Sequence, residues 1–392
     1  MTPLIYNALC QLQRERAEPF CGYLYELSEL CQHIAGMRAV LPPQCQLFYA
    51  TKANPAAEIL HTLSPWVDGF EAASGGELSW LHEQVPGRPL IFGGPGKLPK
   101  ELSMAVDMRV DAIHVESLTE LQRLEEICAR QQCPVNILLR MNIAVAGVEQ
   151  TRLMMGGNPT PFGLDVAELP QAIAKIRISN WLRLQGFHFH LMSHQINVQS
   201  HLTLIHHCLQ QVTHWCETFR IQVKMINVGG GMGINYSDPR RHFDWDTFCR
   251  RLRPVTDEYC AKGLILRFEC GRYISAGCGY YVMEVIDIKR NFGEWFAIGY
   301  GGTHHFRTPA AQGHSHPFRV LRRGGQPAVI ENQLVTLAGQ LCTPKDILAR
   351  QQPIEELAIG DWLVFSLAGA YAWNISHQNF LMHAPSEMFW LS

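Results

Sequence analysis

The chain has 392 residues, and at about 100–200 residues per domain it should hold two domains, or one barrel and a smaller partner. Its 47% hydrophobic and 17% charged residues are ordinary for a globular protein and exclude disorder. A formal net charge of -2, with no run of lysine or arginine longer than a pair, excludes an electrostatic footprint for nucleic acid.

The opening residues MTPLIYNALCQLQRERAEPF lack a basic region followed by an apolar core and a cleavage site, and no uncharged apolar stretch reaches about 18 residues. A soluble, cytoplasmic protein with no membrane partner is expected. Thirteen cysteines, scattered from Cys10 to Cys342 without a C-x-x-C pair, fit neither a disulfide framework nor a zinc ribbon. Most should be small buried hydrophobes in a reducing compartment.

FCGYLYEL, near residue 20, alternates and can supply a strand to a β-domain. From residue 46 short apolar runs alternate with amphipathic segments, the signature of βα units and a parallel sheet. Eight runs follow in order: QLFYATKA (46–53), DGFEAAS (68–74), PLIFGG (89–94), DAIHVES (111–117), VNILLRMN (135–142), LQGFHFHLM (184–192), KMINVGGG (224–231) and LILRFECG (264–271). Between them LTELQRLEEICARQQ, with Leu121, Leu124, Ile127 and Cys128 at helical spacing, and NVQSHLTLIHHCLQQVTHWCETF read as helices. Eight such units fit a (β/α)8 TIM barrel, for which about 250 residues is typical. A Rossmann alternative is weak, because GGGMGI needs glycine where Ile234 stands. After Gly271 the text turns β-rich: YYVMEVIDIKR, EWFAIGYGG, QPAVIENQLVTLAGQL, DWLVFSLAGAY and EMFWL. The expected fold class is α/β, a TIM barrel over 28–272 with a second, C-terminal all-β domain built from 1–27 and 273–392.

In such a barrel, reacting groups sit at the C-terminal ends of strands, with a phosphate site after strands seven and eight. Strand one ends at Lys52, strand two carries Glu71, Ser74 and Glu77, and strand six ends in His188, His190 and Ser193. Strand seven ends in Gly229, Gly230 and Gly231, and strand eight in Glu269 and Arg272. By frequency alone Lys52 is a snorkelling surface residue, the glycines a loop and Arg272 a surface cation. Together they describe a different object. Three glycines let backbone amides approach an anion, Arg272 adds a charged donor, and a lysine opposite an acid completes a pocket for pyridoxal 5'-phosphate. His188 and His190 can be hydrogen-bonded core histidines, an H-x-H metal site or a face for the cofactor ring. No matching set of Asp and His stands at neighbouring strand ends, so no metal is expected.

These residues resemble the fold type III pyridoxal-phosphate decarboxylases, the group of diaminopimelate, arginine and ornithine decarboxylases. The resemblance spans nearly the whole chain. YATKAN looks like the family's lysine motif, EAASGGEL like D/E-x-A-S-x-x-E, FHFHLMS like H-x-H-x-G-S, and NVGGGMG like the triple-glycine loop. ECGRY looks like E-P-G-R-Y, CTPKDIL like C-x-x-x-D, and GAYAWNISHQNF like the terminal G-A-Y segment. The resemblance implies an alanine racemase-like barrel plus a β-sandwich or β-barrel domain that contributes to the substrate pocket and to a homodimer interface.

It makes Lys52 the cofactor-bearing lysine, Glu269 the partner of the pyridine nitrogen and His190 the residue stacked on the ring. Ser193, Gly230, Gly231, Arg272 and Tyr371 would hold the phosphate, and Glu71 and Glu77 would support Lys52 and the ring's polar groups. Active sites would lie at the dimer interface, where Cys342 reprotonates the substrate carbon after CO2 leaves. Met192 and Cys270 stand where the family usually has glycine and proline. Thr343 replaces the acid that receives a basic substrate's distal amine. GGTHHFRTPAAQGHSHPF puts His304, His305, Arg307, His314 and His316 in the region that contacts the substrate's far end, a set suited to carboxylates. This segment looks like the branch that decarboxylates citryl-diamino acids in carboxylate siderophore biosynthesis. Diaminopimelate or ornithine decarboxylation, racemisation and a catalytically silent binding regulator are the alternatives.

Overall fold

The computed structural model describes every residue except 146–156, 158, 239 and 240. It divides into two compact units, one of residues 33–234 and 242–273, the other of 1–32, 235–241 and 274–392.

The first unit is a closed barrel of eight parallel strands: Cys45–Ala50, Gly69–Ala72, Leu90–Phe92, Ala112–Val115, Val135–Asn142, Leu182–His188, Met225–Asn227 and Ile265–Cys270. Each pairs with the next, and Ile265–Cys270 closes on Cys45–Ala50 through pairs such as Phe268 with Leu47. Every one of the eight apolar runs holds all or most of one strand, the first and the sixth strand beginning one and two residues ahead of theirs. Strands buried on both faces carry continuous apolar text, which is why the runs were legible. Phe48, Ile91, Ala112 and Leu138 pack as one cluster inside. At the N-terminal ends the buried Arg267 bonds Gln46, pairs with Asp111 at 2.8 Å and lies 4.1 Å over the Phe48 ring.

Helix Leu118–Gln131 starts where Ser117 accepts the Glu120 amide and buries Leu121, Leu124, Ile127 and Cys128, the four residues whose spacing predicts it. Helix Val198–Phe219 is capped by Asn197.

The second unit is an eight-stranded sheet. Its path runs Phe318–Leu321, Trp362–Phe365, Gly279–Asn291, Glu294–Gly299, Ile330–Ala338 and Ile347–Leu357. Off this path, strand Cys21–Glu26 pairs antiparallel with Gly279–Asn291 and parallel with Glu387–Leu391. FCGYLYEL therefore does join the sheet, although all six strand residues are buried rather than alternating. Helix Pro3–Glu15, absent from the expected elements, covers this sheet through Ile5 and Leu9, which cluster with Phe20, Leu24, Val282 and Trp362. The Phe20 and Trp362 rings stack at 4.5 Å. All thirteen cysteines are free thiols, and Cys342 is exposed. Among the described residues no helix is long and apolar enough to cross a membrane.

Candidate active site

Strand Cys45–Ala50 runs into a single 3-10 turn, Thr51–Ala53, flanked by the buried Thr51 and Ala53. The turn holds Lys52 at the strand's C-terminal end, where its ammonium pairs with Glu71 Oε2 at 2.8 Å. The Lys52 side chain is 37% exposed, against 5% for Glu71, so the amine keeps an open side. Burial pushes the Glu71 carboxyl up, and Lys52 pulls it partly back. Glu77 has a different local task. Ser74 accepts the Glu77 amide while Glu77 accepts the Ala73 amide at 2.7 Å, so the pair caps helix Gly75–Gln84.

The triple-glycine loop is a cradle that side chains cannot enter. Gly229 and Gly231 have φ of 68° and 94°, in the left-handed region. A Cβ on Gly230 would stand 2.2 Å from the Glu269 carbonyl, and one on Gly231 2.5 Å from that of Met192. The Gly230 amide donates to His190 Nδ1 at 3.3 Å, and desolvation by the barrel wall lowers His190 to about 3, so the ring is neutral. Ser193 and Arg272 are half-buried, Ser193 just after this sixth strand and Arg272 just after the eighth.

Glu269 ends the eighth strand on a buried polar floor. Asn227 donates to its Oε1 at 2.7 Å, while His114 Nδ1 and His188 Nε2 lie 3.6 and 3.5 Å from its two oxygens. Burial pushes this carboxyl up, but His114, Lys52, His190 and the Asn227 bond together outweigh it and leave it lowered, hence ionised. Burial in turn lowers both His114 and His188, and the repulsion between the two adds to it at His114. His114, His188 and Glu269 form a set of three ligand-type atoms within 4.8 Å, which the sequence did not disclose. Their geometry is poor for an ion. The two imidazoles are stacked with centroids 4.1 Å apart and planes 21° apart, so both cannot aim an in-plane lone pair at one ion about 2 Å from each nitrogen.

Two buried ion pairs surround the same mouth, Arg140 with Glu116 at 2.8 Å and Lys97 with Glu120 at 2.7 Å. Lys97 also donates to the His114 carbonyl at 2.9 Å. His114, Asn227, Glu116 and Arg140 were not singled out from the sequence. Their signal is position, since each lies at or within two residues of the C-terminal end of a barrel strand.

The remaining candidates belong to the β-rich unit. A cavity of about 810 Å³ has Arg307, Thr343, His314, Lys345, Arg350 and His377 in its wall and no aspartate or glutamate. Arg307 and Thr343 thus share one cavity. His304 and His305 are buried instead, with values lowered by desolvation to about 3 and about 4. His305 contacts Ala384 O at 2.9 Å and Cys21 Sγ at 3.2 Å, and its ring lies 3.8 Å from that of His304. His316 is tied to Ser366 O at 2.7 Å and to His314 at 3.1 Å. Tyr371 holds a left-handed φ of 50°, its carbonyl accepting from Thr308.

A lysine at the first strand end, an ionised acid at the eighth and an amide cradle after the seventh fit pyridoxal 5'-phosphate, and they define a pyridoxal-phosphate enzyme on a (β/α)8 barrel. Comparison with known proteins narrows this. The family described as pyridoxal-dependent decarboxylase, pyridoxal binding domain, matches residues 27–276. The chain is 42% identical to the 2-[(L-alanin-3-ylcarbamoyl)methyl]-2-hydroxybutanedioate decarboxylase of Staphylococcus aureus (strain NCTC 8325 / PS 47), over 99% of this chain and 98% of the relative. It is 29% identical to the L-glutamyl-[BtrI acyl-carrier protein] decarboxylase of Niallia circulans, over 93% and 87%. The crystal structure of diaminopimelate decarboxylase from M. jannaschii in complex with L-lysine shares the fold at a TM-score of 0.84, covering 97% of this chain and 89% of that one at 21% identity. The chain belongs to the pyridoxal-dependent decarboxylases, and it is a carboxy-lyase that uses pyridoxal 5'-phosphate.

Proposed function

We propose that this enzyme removes the α-carboxylate of an amino acid whose far end carries carboxylates, a citryl-diamino acid of carboxylate siderophore biosynthesis. One observation carries the substrate class. The cavity beside Thr343 presents Arg307, Lys345 and Arg350 with no acidic side chain in its wall. Three cations without a counter-charge favour a polyanionic ligand and disfavour a distal ammonium. The name of the S. aureus relative supports the same class, since it describes an alanine unit joined through an amide to a hydroxylated dicarboxylate.

Pyridoxal phosphate, when bound, supplies the sink for the electron pair left as CO2 departs. The chain's own residues hold and orient. Lys52 would hold the cofactor through its amine, with Glu71 2.8 Å away to take or return a proton. Ionised Glu269 would accept the hydrogen bond of the ring N–H and so keep that nitrogen protonated, and neutral His190 would cover the ring face. Ser193, Gly230, Gly231, Arg272 and Tyr371 hold the phosphate, with Glu77 supporting the ring's polar groups through the turn it caps. His304 and His305 back the substrate-binding wall. No metal takes part. The enzyme acts as a cytoplasmic homodimer in which one subunit offers Cys342, as proton donor, and its cationic cavity to the barrel of the other.

Turnover measured as CO2 release on citryl-2,3-diaminopropionate, meso-diaminopimelate and ornithine tests the reading. The expected order puts the citryl conjugate first by at least about 100-fold in kcat/KM, the scale of one or two charge-assisted contacts. Preference for free diaminopimelate or ornithine would overturn it.

A further inference from the structure

Asn227 carries no assigned part in the chemistry, yet it is fully buried and closes a ring of three hydrogen bonds. Its Oδ1 accepts the Gly229 amide at 2.9 Å, the Gly229 carbonyl accepts the Glu269 amide at 2.8 Å, and Glu269 Oε1 accepts the Asn227 side-chain amide at 2.7 Å. The first bond decides the orientation of the third. With its oxygen taken by a backbone N–H, the side chain must present its NH2 to Glu269.

We propose that Asn227 is a positioning residue, whose amide fixes the direction and the charge of Glu269 and ties that acid to the triple-glycine cradle. The proposal rests on the reading that Glu269 faces the ring nitrogen. A donor on Oε1 favours the carboxylate over the acid, and it leaves Oε2, 3.5 Å from His188 Nε2, able to accept a further N–H. The same side chain holds the left-handed turn at Gly229, so acid and anion cradle are set by one residue. The charged and titratable groups around Glu269 are Lys52, Glu71, His114, His188, His190 and Arg267, from strands one, two, four, six and eight. None of them bridges to the glycine loop through both of its ends as Asn227 does.

The test uses holoenzyme loaded with ring-15N pyridoxal 5'-phosphate and the variants N227L, N227D and E269Q. In N227L the ring nitrogen signal should move from the protonated toward the unprotonated position at pH 7, and kcat should fall about 10–100-fold, the scale for losing an orienting outer partner. N227D keeps the bond to Gly229, and its introduced carboxyl, buried against Glu269, has a raised pKa. Below that pKa it is a neutral donor like the amide it replaces. Its activity relative to wild type should therefore be near one at about pH 6 and fall as pH rises toward about 9, as the donor is lost and two carboxylates oppose each other. A structural role alone gives no such slope. A flat ratio with a wild-type 15N signal overturns the proposal even where N227L does not fold. E269Q with wild-type turnover and signal overturns the placement of Glu269 and Asn227 with it, whereas an impaired E269Q beside an N227D that stays wild-type-like from about pH 6 to about pH 9 overturns Asn227 alone.

Discussion

The barrel mouth and the cavity of the β-rich unit handle charge in opposite ways. In the barrel each of these cations has its own acid: half-exposed Lys52 with Glu71, and buried Lys97 and Arg140 with Glu120 and Glu116. In the cavity Arg307, Lys345 and Arg350 have no ion pair among the described residues. A buried charge without a partner is costly, so charges inside the barrel must be compensated before any ligand arrives. Compensation also fixes geometry, which is what a reaction needs. Solvated cations at a cavity wall cost little, and their balancing charge can be brought by the substrate. The barrel's charges are fixed in place, and the cavity's are left open to a ligand.

The largest effect should come from the reacting side of this contrast. Lys52→Ala should lower CO2 release by about 1000-fold or more, and borohydride treatment should no longer fix cofactor to the chain by mass. Cys342→Ala should lower kcat by about 100-fold with little change in KM, the scale of a general acid, and wild-type turnover in this variant would assign the proton to another donor. On the recognition side, Arg307→Ala should raise KM for the citryl conjugate about 10–100-fold while kcat stays within a few-fold. The effect should shrink as salt is raised, because the cavity is open to solvent and the barrel pairs are not.

The smallest effect concerns pH. His201 in the barrel and His305 in the β-rich unit are lowered by burial to about 4 each. A lowered folded value means the unfolded chain takes the proton first. Stability is full above the unfolded value near 6.5 and is lost as pH falls toward about 4, by at most about 1.4 kcal/mol per pH unit for each histidine. Melting midpoints of the apoprotein between pH 7 and 5 should fall, and less steeply in His305→Asn if that residue contributes as proposed.

The fold was legible where burial on both faces of a strand wrote itself as uninterrupted apolar text, as in LFYA of the first strand or LIF of the third. It was not legible in Ile347–Leu357, a strand of eleven residues reading ILARQQPIEEL, because its exposed face needs no apolar side chains. For the site, position at strand ends was enough to bring Lys52, Glu71, His190 and Glu269 into one list. It was silent on partners. Nothing in GGPGK shows that Lys97 is buried on Glu120, and nothing in THHFR shows that His304 and His305 turn into the sheet while Arg307 faces the cavity. Alternation predicts which way a side chain points, but a counter-charge hundreds of residues or one sheet away is a tertiary fact.

The strand Cys21–Glu26 lies between Gly279–Asn291 and Glu387–Leu391. During synthesis this segment leaves the ribosome early, while both of its neighbours are still untranslated, so its six strand residues must stay unpaired until Gly279–Asn291 emerges, and one edge stays open until Glu387–Leu391 does. The barrel faces no such wait, because its strands pair in order of appearance apart from the final closure. A nascent chain stalled about 40 residues past the closing strand Ile265–Cys270, so that this strand has cleared the exit tunnel, should therefore resist protease over the barrel and be cut near residue 20, and a deletion of 387–391 should leave an open edge at Cys21–Glu26 that recruits other chains.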